Sequence, residues 1–87
     1  MARRRRNTIR SVLNKIIYLG EASEHVVLYI DRPPGGQQRL AELPVARIVR
    51  VNNWAMLLDD GDTVIPLHRV VEIRRRDGKV VWSRRKG

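Results

Sequence analysis

Between residues 9 and 17 the apolar side chains Ile9, Val12, Leu13, Ile16 and Ile17 fall at i, i+3, i+4, i+7 and i+8; after Gly20 the period becomes two, or apolar residues run together. The first spacing lines one side of a helix and the second belongs to strands. The chain therefore reads as an α+β fold, one N-terminal amphipathic helix packed on an antiparallel sheet. Arg10, Ser11, Asn14 and Lys15 take the helix's polar side. Asn7 or Thr8 is placed to cap its start, and Gly20 to end it in the left-handed conformation, which bounds the helix at 8–19.

The strands follow from their turns. Residues 25–30, His-Val-Val-Leu-Tyr-Ile, read as a buried central strand stopped by Asp31-Arg32-Pro33-Pro34-Gly35-Gly36. Asp59-Asp60-Gly61-Asp62 carries a hairpin signal joining 54–58 to 63–65, and Asp77-Gly78 joins 69–76 to 79–84. The C-terminal half is expected to be an antiparallel meander, in a sheet of about five strands. One pattern appears twice: Leu43-Pro44-Val45-Ala46-Arg47-Ile48-Val49 matches Ile65-Pro66-Leu67-His68-Arg69-Val70-Val71. Two copies are too few for a solenoid, so the echo reads as one proline-led turn used twice to feed a strand. Where the second copy has His68 the first has Ala46, so the turn itself does not require a histidine.

An 87-residue chain buries only about 60 to 65% of its unfolded surface, enough for a single core. Residues 8–87 are read as that domain. Residues 1–7, with Arg3, Arg4, Arg5 and Arg6 in succession and nothing to bury, are read as a basic arm that orders only on a phosphate surface. The formal charge of +9 exceeds what solubility needs and points to a polyanion. Fifteen of the 18 basic residues are arginine, a bias that favours bidentate phosphate contacts. RNA, with the ribosome as its highest-capacity form in a cell, is the expected partner.

Several classes of chemistry are excluded. The chain has no cysteine, which removes disulfides, thiolate catalysis and cysteine-type zinc sites. No apolar run, residues 26–30 included, exceeds five residues, far too short to span a membrane, and the N-terminal charges precede no apolar signal segment, so a cytoplasmic protein is expected. The glycine loop at 33–36 lacks the Lys-Ser/Thr and the helix of a phosphate loop. Asp59, Asp60 and Asp62 read as a hairpin turn rather than a metal site, and no cofactor is expected.

The remaining candidates contact RNA. In a regular strand after residue 69, Val71 and Ile73 face the core, while His68, Val70, Glu72, Arg74 and Arg76 share the other face as a row that tracks phosphates. Arg75 would then point inward, so the strand is expected to end or bulge there. Arg10 on the helix and Arg84 and Arg85 at the C-terminus extend the basic set. Tyr29, Trp54 and Trp82 are candidates for base stacking, although with no phenylalanine an aromatic-rich RNA-recognition sheet is not supported. His68 and His25 are of the residue type that titrates near neutral pH, which leaves a weak phosphodiesterase as the enzymatic alternative. His25, at the mouth of an apolar strand, reads as structural.

Leu13-Asn14-Lys15-Ile16-Ile17-Tyr18, Tyr29 with Arg32 before a glycine loop, the string Ile65 to Ile73, and Gly78-Lys79-Val80-Val81-Trp82 resemble the small, mostly archaeal RNA cyclic group end recognition domain family. The resemblance covers about residues 8–86. It implies recognition of RNA ends bearing a 2′,3′-cyclic phosphate, with His68 and Arg69 matching the family's His-Arg pair and Arg32 its loop arginine. Asp31 precedes that arginine here and is expected to repel an anion or to hold Arg32 in an ion pair. The expected function is non-catalytic RNA binding, with ribosome association and selective capture of cyclic ends as its two concrete forms.

Overall fold

A computed structural model describes residues 8–84. Helix α1 spans Ile9–Tyr18, and the seven strands are β1 His25–Asp31, β2 Arg39–Pro44, β3 Ile48–Val51, β4 Ala55–Leu58, β5 Val64–Pro66, β6 Val70–Arg75 and β7 Val80–Ser83. Both helix ends are closed by local hydrogen bonds. Thr8 is the N-cap, its hydroxyl accepting from the Ser11 N–H at 3.1 Å, while the Ser11 hydroxyl donates to the Thr8 carbonyl. At the other end Gly20 adopts φ +73°, and the N–H groups of Gly20 and Glu21 donate to the carbonyls of Ile17 and Ile16, which are otherwise orphaned.

The strands form two antiparallel sheets, one in the order β2-β1-β6-β7 and one in the order β3-β4-β5. The expected single sheet of about five strands is thus replaced by seven strands in two sheets. Strand β2 was not legible because its outward positions, Arg39, Leu40 and Glu42, give no alternation. The expected meander is cut between β5 and β6. There the short helical turn Leu67–Arg69 redirects the chain from one sheet to the other, just as Val45–Arg47 does between β2 and β3. Pro44 (φ −64°, ψ 134°) and Pro66 (φ −62°, ψ 138°) start these turns in nearly the same conformation, so the repeated sequence pattern is a repeated corner. Val45 and Leu67 anchor the two corners in the core, and Ala46 and His68 stand exposed at equivalent positions.

One core joins all layers: Leu13 and Ile16 from α1, Val27, Leu43, Val70 and Ile73 from the larger sheet, and Ile48, Val51, Met56, Leu58 and Ile65 from the smaller. Burial of a side chain of this size stabilises the fold by about 1.5 to 3 kcal/mol. Val70 and Ile73 are both fully buried although they are three residues apart. The pairing explains this: Leu28 opposes Glu72 and Tyr29 opposes Val70, so Val71 is an extra residue bulged out of the ladder. The bulge reverses the expected assignment, placing Val70 in the core and leaving Val71 half-buried. As expected, β6 ends at Arg75. Among the described residues no helix is long and apolar enough to cross a membrane.

Candidate functional site

The row of His68, Arg74 and Arg76 expected on one strand face is not formed. His68 lies in the turn before β6, and Arg76 lies beyond its end, donating from Nε to the Ser23 carbonyl at 2.8 Å. Arg74 folds onto Glu72 through two hydrogen bonds, 3.0 and 2.7 Å, on the strand face shared with Val26 and Leu28. Both arginines therefore bond within the protein, and the sheet face does not present the expected row.

His68 instead lines a cleft of about 470 Å³ at the start of α1, together with Thr8, Ile9, Arg10, Asn53, Trp54, Leu67 and Arg84. Three separate segments build it. The helix brings Arg10 and its own N-terminal end, where the backbone N–H groups of Ile9 and Arg10 have no intrahelical acceptor and carry the positive end of the helix dipole. The β3–β4 turn brings Asn53 and Trp54: the Asn52 side-chain oxygen accepts from the N–H groups of Trp54 and Ala55 at 2.9 and 2.8 Å, leaving the indole 67% exposed. The corner Leu67–Arg69 brings His68, and its Leu67 N–H donates to the Trp54 carbonyl at 2.8 Å, so the two loops are joined by backbone.

Arg84 closes the back of the cleft. Its Nε donates to the Val70 carbonyl at 2.9 Å, a second N–H donates to Leu67 at 3.1 Å, and the guanidinium lies 5.4 Å from the centre of the Trp82 ring. Arg10, His68 and Arg84 thus converge, and no carboxylate is among the described residues lining the cleft. Such a lining attracts an anion and offers it several donors.

The other sequence candidates are placed elsewhere. Arg69 is half-buried and Arg32 sits exposed in the β1–β2 loop; neither is among the residues lining this cleft. Asp31 does not hold Arg32 but pairs with Arg39 across the hairpin at 3.3 Å. That pairing follows from register, since Asp31 and Arg39 are direct cross-strand partners. Tyr29 and Trp82 are partly buried against the core. His25 is 2% exposed, its Nδ1–H donating to the Glu21 carbonyl at 2.9 Å, and it lines a different cleft from His68. The two-histidine pair of a phosphodiesterase is not assembled. Asp60 is engaged by the Thr63 hydroxyl and by the N–H groups of Thr63 and Asp62, and Asp59 by Arg47, as a hairpin turn requires. Among the described residues no group of three or more acidic or histidine side chains could hold a metal ion. Arg3, Arg4, Arg5, Arg6 and Arg85 lie outside the described residues. Thr8 and Asn53 were missed from sequence; Asn52-Asn53 signals a turn, but not which cleft the turn faces.

Residues 5–84 match the family described as the MJ1316 RNA cyclic group end recognition domain. The chain belongs to this family. Among its relatives, a UPF0248 protein of Metallosphaera sedula is 49% identical over 78 residues, covering 88% of this chain and 92% of the relative. A UPF0248 protein of Aeropyrum pernix is 38% identical, covering 97% of this chain and 84% of the relative. One from Pyrococcus abyssi is 35% identical, covering 94% and 95%. No solved structure matches the chain. The residues matched to the family span every residue lining the His68 cleft.

Proposed function

We propose that this member of the RNA cyclic group end recognition family binds RNA without cleaving it, and that the cleft at the start of α1 receives an RNA end closed as a 2′,3′-cyclic phosphate. The observation that carries the reading is the meeting of Arg10, His68 and the first turn of α1 in one cleft beside the exposed Trp54 ring, with no carboxylate in the described lining. A cyclic phosphate is a monoanion with two free oxygens and no hydroxyl to donate. A lining rich in donors matches it, whereas a 2′,3′-diol brings two donors that need acceptors. Arg10 supplies a fork for the two oxygens, His68 a further donor, and Trp54 a face on which the terminal base stacks. Arg84 keeps the His68 corner in place.

One RNA sequence prepared with a cyclic phosphate, a 3′-phosphate or a 3′-hydroxyl end tests this, titrated at two salt concentrations against wild type and His68→Ala. The cyclic end binds tightest to wild type, and the variant loses the preference. Equal affinity for all three ends overturns end recognition and leaves backbone binding, of ribosomal RNA among others, for which deletion of residues 3–6 removes most of the affinity. Recovery of the cyclic end unchanged after incubation accords with a binding role. Its conversion to a monophosphate, dependent on His68, identifies a phosphodiesterase instead.

A further inference from the structure

A second cleft, of about 720 Å³, opens between the flank of α1 and the β6–β7 hairpin. Its wall has two chemistries. Val12, Ile16, Leu19 and Val81 make one side apolar, and Lys15, Arg75 and Lys79 bring three cations against a single acid, Glu21. Arg75 also reaches Asp77 at 3.5 Å, so Lys15 and Lys79 are the cations more available to a ligand.

The two clefts are connected. A shallow groove on the exposed face of α1 is lined by Thr8, Arg10, Ser11, Asn14, Lys15 and Tyr18. It shares Thr8 and Arg10 with the His68 cleft, and Ser11 and Lys15 with the second cleft. A polyanion can therefore pass from one cleft to the other over a groove whose described lining holds no acidic residue. The groove carries two cations, Arg10 and Lys15, beside the Tyr18 side chain at 87% exposure, and the second cleft adds an apolar wall. A single nucleic-acid strand offers phosphates to the cations and flat bases to the aromatic and apolar surface, whereas an acidic peptide answers only the charge.

We propose that the RNA strand whose end occupies the His68 cleft crosses α1 and seats an upstream nucleotide between α1 and the β6–β7 hairpin, with Lys15 and Lys79 on its phosphates and its base against Leu19 and Val81. This rests on the reading of the His68 cleft as the end site. Leu19 lies about 15 Å along the helix from the Thr8–Arg10 end, at 1.5 Å per residue, so a base seated against it is several nucleotides from the end site and beyond a dinucleotide.

The test compares a dinucleotide and a ten-nucleotide RNA, both with cyclic phosphate ends, on the full chain. Wild type and the double variant Lys15→Gln, Lys79→Gln are titrated over a range of salt; both lysines are exposed, so the fold is retained. Wild type binds the longer RNA at least tenfold tighter. In the variant that gain shrinks, the slope of log affinity against log salt falls by about 1.4, from two lost phosphate contacts, and dinucleotide affinity is unchanged. An undiminished gain and slope overturn the proposal. Competition by polyglutamate of equal charge as strong as that of the longer RNA also overturns it, in favour of an acidic protein partner. A length gain that depends on the two lysines, in a protein with no preference among dinucleotide ends, supports the track and defeats only the end reading.

Discussion

Arg84 donates to the Leu67 carbonyl at 3.1 Å, so a residue from the end of the fold ties down the corner that presents His68. The same guanidinium bonds Val70, the first residue of β6, and stacks near Trp82. Only a planar fork reaches both carbonyls at once, and a lysine ammonium does not reproduce it. Arg84→Ala is expected to lower unfolding stability by about 1.5 to 2 kcal/mol, the lower part of the range for hydrogen bonds to charged groups, because the site is partly solvated. Urea melts check this. Arg84→Lys should recover little of the loss, and both variants should bind a cyclic RNA end more weakly than a stability change of that size explains.

Arg10 and Trp54 make the complementary case, since both are exposed and neither supports the core. Each alanine variant is expected to stay within about 0.5 kcal/mol of wild-type stability. For binding, loss of one stacked base costs about 1 to 3 kcal/mol, so Trp54→Ala weakens the RNA complex roughly 5- to 150-fold. Parallel thermal melts and RNA titrations separate the two effects. Loss of binding with an unchanged melt places both residues on the RNA rather than in the fold.

The bulge at Val71 sets up a contrast between neighbours. Val70 is fully buried, so Val70→Ala leaves a cavity and is expected to cost about 2 to 3 kcal/mol. Val71 is only half-buried, and Val71→Ala should cost less than about 1 kcal/mol. In a regular strand the order would be reversed. Equilibrium unfolding of the two variants decides between the two registers.

Asp60 gives a pH signature. Its carboxyl is lowered from 3.8 to about 2, first by the Thr63 hydroxyl and then by the N–H groups of Thr63 and Asp62, which all donate to the charged form. A depressed carboxylate stabilises the fold above its unfolded value, and the contribution disappears as pH falls through the folded one. The stability this carboxylate contributes should therefore be present above about pH 4 and fall away between about pH 4 and 2, while the capping itself is lost only near pH 2. The Asp60 carboxyl carbon followed by NMR is expected to titrate near 2, and Thr63→Val should move that midpoint upward.

Local chemistry alone determined much of this protein. The helix, its Thr8 and Gly20 caps, the two Asp-led hairpins and the corner used twice each depend on residues within a few positions of one another. Their preferences are set by steric and hydrogen-bonding rules that act before the chain collapses. The excess of arginine and the resemblance that pointed to RNA were legible in the same way. What sequence could not supply were decisions made between distant segments. The bulge that exchanges Val70 for Val71 exists only because β6 pairs with β1, and the division into two sheets arises because each proline-led corner turns the chain across a shared core. His68 stood out because its twin in the repeat is alanine, yet its neighbours in the cleft, Arg10 and Trp54, come from a helix and a turn with which it shares no sequence pattern. Arg74 and Arg76, read from sequence as RNA contacts in one row with His68, are held apart from it by bonds to Glu72 and the Ser23 carbonyl. A guanidinium takes whichever acceptor the fold brings within reach, and only the tertiary structure decides whether that acceptor belongs to the protein or is left for a ligand.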